Sequence, residues 1–217
     1  MLPIFGGQAL WLKPEALVLN DGDAVSSWPD SSGNGNTFIQ VTGANQPLYK
    51  VAQQNGRAGV QFDGINDRLA HAGVVTANSV YSIFIVHRFN VATGTEYLFR
   101  NGDPDGYAVE KTSANRAVLH RAVAELSDSA ATTNTEIWAS IQTAAPLAKL
   151  WVNGVNQALT NSTSAVNAPS SAAEIGTFNG ALPFGGFIFE LIVYDNPLSD
   201  TDRGAVENYL NQKYAVF

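Results

Sequence analysis

The sequence contains no cysteine, so neither a disulfide framework, a thiolate nucleophile nor a cysteine-held metal contributes to its stability or chemistry. Charge is also scarce. Asp, Glu, Lys and Arg make up 14% of the 217 residues, against roughly 25% in ordinary soluble chains, so solubility must rest on Ser, Thr, Asn and Gln. Basic residues are the scarcer sign, 12 Lys and Arg against 19 Asp and Glu, for a net charge of −7. Phosphate-rich partners need clustered cations, so nucleic acid and an anionic membrane surface are disfavoured. No apolar run approaches the ~18 residues of a membrane span. The start has no positive charge before Lys13 and is interrupted by Pro3 and the Gly6-Gly7 pair, so it does not read as a secretory leader. The expectation is a protein that stays in a cytoplasm or leaves it as part of a particle.

What the chain does have is short apolar segments punctuated by turn residues, at the spacing of a β-sandwich or barrel. Asn101-Gly102, Asp105-Gly106, Asn153-Gly154 and Asn179-Gly180 are hairpin signals, because these residues tolerate positive φ. Two segments, Tyr81 to Phe89 and Phe187 to Tyr194, are apolar at alternating and intervening positions alike. They predict central strands covered on both faces. Near the end the period changes: Ser199 is placed to cap a helix with Asp202 at its third position, and Val206, Tyr209, Leu210 and Tyr214 fall on one face. The polar stretches Ser127 to Asn134 and Asn161 to Ser171 read as surface loops, so residues 1–217 are expected to form one domain.

Several of these segments have a familiar order. Leu10-Trp-Leu-Lys13 followed by Asp21-Gly-Asp-Ala-Val-Ser-Ser-Trp-Pro-Asp-Ser-Ser-Gly-Asn-Gly-Asn36 resembles the opening of bacterial and phage laminin-G-like domains of the concanavalin-like superfamily. Gly59-Val-Gln-Phe-Asp-Gly-Ile-Asn-Asp-Arg-Leu69, Leu150-Trp-Val-Asn-Gly-Val155 and Gly186 to Ser199 running into Tyr209-Leu-Asn-Gln-Lys-Tyr214 are similar to later motifs of the same domains. The resemblance implies an all-β, two-sheet antiparallel jelly-roll sandwich with one short C-terminal helix. It also implies a rim of loops that binds glycans or proteins, in some members through calcium.

Catalytic signals are thin. A glycosidase on such a fold carries paired carboxylates, yet Phe187 to Tyr194 has only Glu190 and Gly106 to Lys111 only Glu110. Glu190 is weighed as a general acid and, first, as a buried structural acceptor. His71, His87 and His120 lie on separate segments without ligand-spaced neighbours, and His87 is expected in the core or on a concave face. The oxygen-rich turns around Asp21, Asp23 and Asp30, around Asp63 and Asp67, and around Asp103 and Asp105 are candidate sites for a structural Ca2+, with turn capping as the alternative. Asn34, Asn36 and Asn179, with the loop-end aromatics Tyr107 and Phe184, are the candidate ligand-binding residues.

These observations together predict a non-catalytic surface module, in a virion or on a cell. Its expected partner is a glycan, or else a neighbouring protein subunit or a second copy of itself, as in a phage decoration, fibre or receptor-binding protein. A carbohydrate-binding domain of a bacterial surface protein is the alternative, followed by a glycoside hydrolase.

Overall fold

The computed structural model describes all residues except 1, 4, 103–106, 113–115, 121–123, 128–129, 144–147, 161–168 and 170; for 116–120, 124–126 and 160 it describes the backbone alone. In chain order the first strands are β1 (Gln8–Leu12), β2 (Ser27–Trp28), β3 (Phe38–Ile39), β4 (Leu48–Gln54), β5 (Arg57–Asp63) and β6 (Leu69–His71). They are followed by β7 (Tyr81–Phe89), β8 (Glu96–Asn101), β9 (Tyr107–Lys111), β10 (Arg116–His120), β11 (Ala124–Ser127) and β12 (Glu136–Gln142). The last are β13 (Ala148–Val152), β14 (Val155–Gln157), β15 (Leu159–Thr160), β16 (Ala173–Ile175) and β17 (Gly185–Tyr194), and helix α1 (Asp200–Tyr214) closes the series.

All the pairings are antiparallel, and they make two sheets. One runs β14-β13-β12-β7-β17-β5-β4, with β1 also on β17; the other runs β15-β11-β10-β9-β8-β16-β6-β3-β2. The predicted two-sheet sandwich with a C-terminal helix is therefore the fold. β17 is its axis: β7 follows one side over nearly its whole length, while the other side is shared, Gly185 to Ile188 pairing with β5 and Leu191 to Tyr194 with β1.

The doubly apolar strands are explained by two separate cores. Ile83, Ile85 and Phe89 of β7, with Ile188, Leu191 and Val193 of β17, point between the sheets toward Phe38, Leu69, Phe99 and Ile175. Phe84, Val86, Phe189 and Ile192 point the other way, where Val206, Leu210 and Tyr214 of α1 cover them. The helix starts where its cap predicts: Ser199 accepts a hydrogen bond from the Asp202 amide.

Strict alternation along β17 would aim Glu190 into the inter-sheet core. A β-bulge prevents it. Ile188 faces His87 in register and Glu190 faces Val86, so Phe189 and Glu190 together occupy one step of the ladder and both turn toward the helix. Leu191 then returns to the inner face.

Asn153-Gly154 joins β13 to β14 and Asn179-Gly180 joins Phe178 to Ala181, each pair at positive φ, as the hairpin chemistry requires. Asn55-Gly56 does the same between β4 and β5. Asp105-Gly106 lies outside the described residues.

Leu210 is fully buried under the helix, and truncating such a residue costs about 2–5 kcal/mol when its surroundings do not collapse. Leu210→Ala is accordingly expected to lower the unfolding free energy by that amount, read by urea titration as a lower midpoint with an unchanged denaturant slope.

Candidate functional site

At one end of the sandwich four separate segments meet around a groove of about 500 Å³, within the range of small-ligand sites. Its walls are Gly7, Gln8 and Ala9, the loop residues Asn34 and Asn36, residues Val75 to Asn78, and Asp195 at the end of β17. No aromatic, lysine or arginine side chain is among them.

Asp30 builds the second wall. Its carboxylate accepts from the Trp11 amide at 3.0 Å, from the Ser32 amide and hydroxyl at 2.8 and 2.7 Å, and from the Asn36 amide at 3.0 Å. That folds residues 30–36 against β1. From there the Asn34 side-chain amide donates to the Gln8 carbonyl at 2.7 Å, and the Asn36 amide to the Ala9 carbonyl at 2.9 Å.

Asn101, fully buried, fixes the third wall by accepting from the Val75 amide at 2.6 Å and donating to the Thr76 carbonyl at 2.9 Å. Asn78 in turn donates its side-chain amide to the Asp195 carbonyl at 2.7 Å. Gly7 completes the floor. A Cβ there would lie 2.2 Å from Oδ1 of both Asp195 and Asn196, and its φ of +82° is one that L side chains rarely adopt.

Two of the sequence candidates, Asn34 and Asn36, thus come together in the groove. The others do not. Tyr107 and Phe184 are fully buried, which corrects their reading as loop-end aromatics available to a ligand. Both rings turn inward: Tyr107 stacks on Tyr81 at 3.7 Å, and Phe184 packs against Phe62 and Phe89 at 5.5 and 5.6 Å. Asn179 sits in its turn with its carbonyl oxygen accepting from Arg100 at 2.7 Å. Residues Gln8, Asn78 and Asp195 were not singled out in the sequence, and no local pattern marks them, since they meet only through the fold.

The acidic turns use their oxygens on their own chain. Asp21 accepts from the Val51 amide and Asp23 from the Asn20 amide; Asp63 accepts from the amides of Ile65, Asn66 and Asp67. These are turn and loop caps. Asp103 and Asp105 lie outside the described residues. Among the described residues no three His, Asp or Glu side chains gather where a metal would be held.

Glu190 is enclosed. Its Oε1 accepts from Trp11 Nε1 at 2.6 Å and the Tyr209 hydroxyl at 3.0 Å, its Oε2 from Lys213 Nζ at 2.7 Å and the Tyr214 hydroxyl at 2.9 Å. Two donors on each oxygen saturate a carboxylate. Burial, and then the Glu190 charge, hold both phenols well above their ordinary range, so they remain protonated donors. Two other buried carboxylates, Glu96 and Glu136, are likewise engaged. Glu96 takes Lys111 Nζ at 2.9 Å and the Gly185 amide at 3.1 Å; Glu136 takes Trp138 Nε1 at 2.9 Å and the Thr132 hydroxyl at 2.8 Å. His87 lies in the core as expected, edge-on to Trp138 at 4.5 Å and Phe89 at 4.7 Å.

Neither a protein-family model nor a curated relative matches the sequence. Solved structures do. Domain 4 of AbnA, an extracellular GH43 arabinanase from Geobacillus stearothermophilus solved with arabinotriose, aligns over 87% of this chain and 100% of its own, with a TM-score of 0.62 and 15% identity. Trypanosoma rangeli sialidase with sialic acid aligns over 98% of this chain and 34% of its own (TM-score 0.63, 14% identity). The botulinum neurotoxin serotype D binding domain aligns over 94% and 51% (TM-score 0.61, 11% identity). This chain therefore spans about a third of the sialidase and half of the neurotoxin domain. At such identities the likeness is one of fold.

Two predictions follow from these carboxylates. Glu190→Ala leaves Lys213 and two phenols facing a void and is expected to cost about 3–5 kcal/mol of unfolding free energy, read by urea titration; an unchanged midpoint would show the cluster to be dispensable. Asp67 is buried, and that burial, then the Asp63 charge, push its carboxyl up to about 6 despite a hydrogen bond from the Asp63 amide. The fold then binds this proton more tightly than the unfolded chain, so ionising Asp67 costs stability as pH rises from about 4 to about 6, in full above that. Asp67→Asn should melt higher than the wild type at pH 7, and the gap should close as the pH is lowered to 4.

Proposed function

We propose that this chain is a non-catalytic carbohydrate-binding module of laminin-G-like type, displayed on a virion or cell surface, and that the groove between β1, the 30–36 loop and the end of β17 holds the glycan. The observation that carries the reading is the groove itself, a preformed concavity whose side-chain polar groups are chiefly amides, the groups that exchange hydrogen bonds with sugar hydroxyls. Its walls are braced before any ligand arrives by the bonds of Asp30, Asn36 and Asn101, which lowers the entropic cost of binding.

The non-catalytic part rests on a count of acids. Hydrolysis of a glycosidic bond by the usual route needs two carboxyl groups flanking it, and Asp195 is the single carboxylate among the lining residues. Glu190, the other candidate acid, is saturated by four donors under the helix. The structural neighbours support the reading in kind: one was solved with arabinotriose and one with sialic acid.

The test is an array of bacterial and plant polysaccharides probed with labelled protein, followed by calorimetry on the best binder, with and without a chelator. Specific binding is expected, and Asn78→Ala, at the exposed mouth of the groove, is expected to weaken it at least tenfold. Well-folded protein that binds nothing on the array, or binds equally well with Asn78 truncated, would remove the groove from consideration.

A further inference from the structure

The direction of the hydrogen bonds around the groove says more than its polarity. Asn34, Asn36 and Asn78 each spend the NH2 end of the side chain on a backbone carbonyl, of Gln8, Ala9 and Asp195 respectively. A carbonyl only accepts, so it settles which end of each amide faces it. The opposite ends are three carbonyl oxygens, and among the described residues no donor reaches them. The Asp195 carboxylate adds a fourth acceptor, with its Oδ1 at the groove floor beside Gly7. Against these stand fewer side-chain donors: the second N–H of Asn78, the Thr76 hydroxyl, and Gln8 Nε2, which is buried and has no acceptor among the described residues. No cation lines the groove.

Acceptors that outnumber the donors ask for a ligand that donates. A neutral sugar does so through its hydroxyls, each of which can give a proton to an amide oxygen or a carboxylate and still accept one. An acidic sugar brings a carboxylate or sulfate that can only accept, into a site whose one formal charge is already negative. The fold neighbours span both classes, arabinotriose in one and sialic acid in another, so fold alone leaves the choice open. We infer that this groove selects neutral, hydroxyl-rich glycans and excludes anionic ones, with Asp195 as the residue that sets the exclusion. The inference rests on the glycan-binding reading above and adds its substrate class.

The experiment makes its own matched ligand. The neutral polysaccharide that binds best on the array is oxidised selectively at its primary hydroxyls, which turns CH2OH into carboxylate on the same backbone. Both forms are titrated into the full chain by calorimetry at 20 and 500 mM salt. Oxidation is expected to weaken binding at least tenfold at low salt. The gap should narrow at high salt as the repulsion is screened, and narrow again in Asp195→Asn, whose backbone hydrogen bonds to Gly7 and Asn78 do not involve the altered side chain.

Array binders drawn mainly from acidic glycans, or an oxidised form that binds as well as the neutral one, would overturn the selectivity and leave glycan binding standing. A gap that neither salt nor Asp195→Asn changes would overturn the role given to Asp195. Absence of any glycan binder would instead sink the underlying reading.

Discussion

A carboxylate in the middle of an apolar strand needs donors for its oxygens, and the arrangement around Glu190 supplies them. Its four donors come from two elements, Trp11 on β1, the strand beside it, and Tyr209, Lys213 and Tyr214 on α1, while β17 carries the acid. The carboxylate therefore fixes the first strand, the last strand and the helix relative to one another. It performs this only because the bulge at Phe189 and Glu190 turns it away from the inter-sheet core. The same extra residue keeps both cores in phase, since Leu191 and Val193 face inward and Ile192 outward on the far side of it.

The groove inherits its shape from that frame. One wall is β1 and one corner is the end of β17, so the positions of Gln8, Ala9 and Asp195 follow from the pairing of those strands. The 30–36 loop and the Val75 to Asn78 segment are then held by side chains in the layer behind: Asp30 by its amide donors, Asn101 by its place at the buried end of β8. Those two residues do not need to touch a ligand to decide what the site looks like. Asp30 reads in the sequence as a candidate cation ligand or a turn cap, and in the fold its oxygens take backbone amides as a cap does.

Local chemistry was legible in the sequence and convergence was not. The apolar runs of β7 and β17, the Asn153-Gly154 and Asn179-Gly180 turns and the Ser199 cap each depend on a few consecutive residues, and each stands where the pattern puts it. β4, with a pair of glutamines and an exposed outer edge, carries no such run and becomes a strand by pairing with β5. Asn34 and Asn36 were visible because they lie in one glycine-rich loop. Asn78 and Asp195 were invisible, each alone in its segment and brought to the others only by sheet topology. Tyr107 and Phe184 misled for a related reason: nearness to a turn in sequence says nothing about whether a ring points outward, and here both fill the space between the sheets.

The sharing of β17 by β5 and β1 also has a bearing on how the molecule comes into being. Among the described residues the first strand has the last one as its strand partner, so the pairing that closes the sandwich is among the most distant in the chain, and bringing such ends together is slow. During synthesis β1 would leave the ribosome long before β17 exists, carrying an unpaired edge and apolar residues such as Leu10 and Leu12. A newborn chain of this kind is exposed to misassembly with its neighbours until its final segment emerges, which makes protection of the nascent amino-terminal half a condition for its yield in the cell.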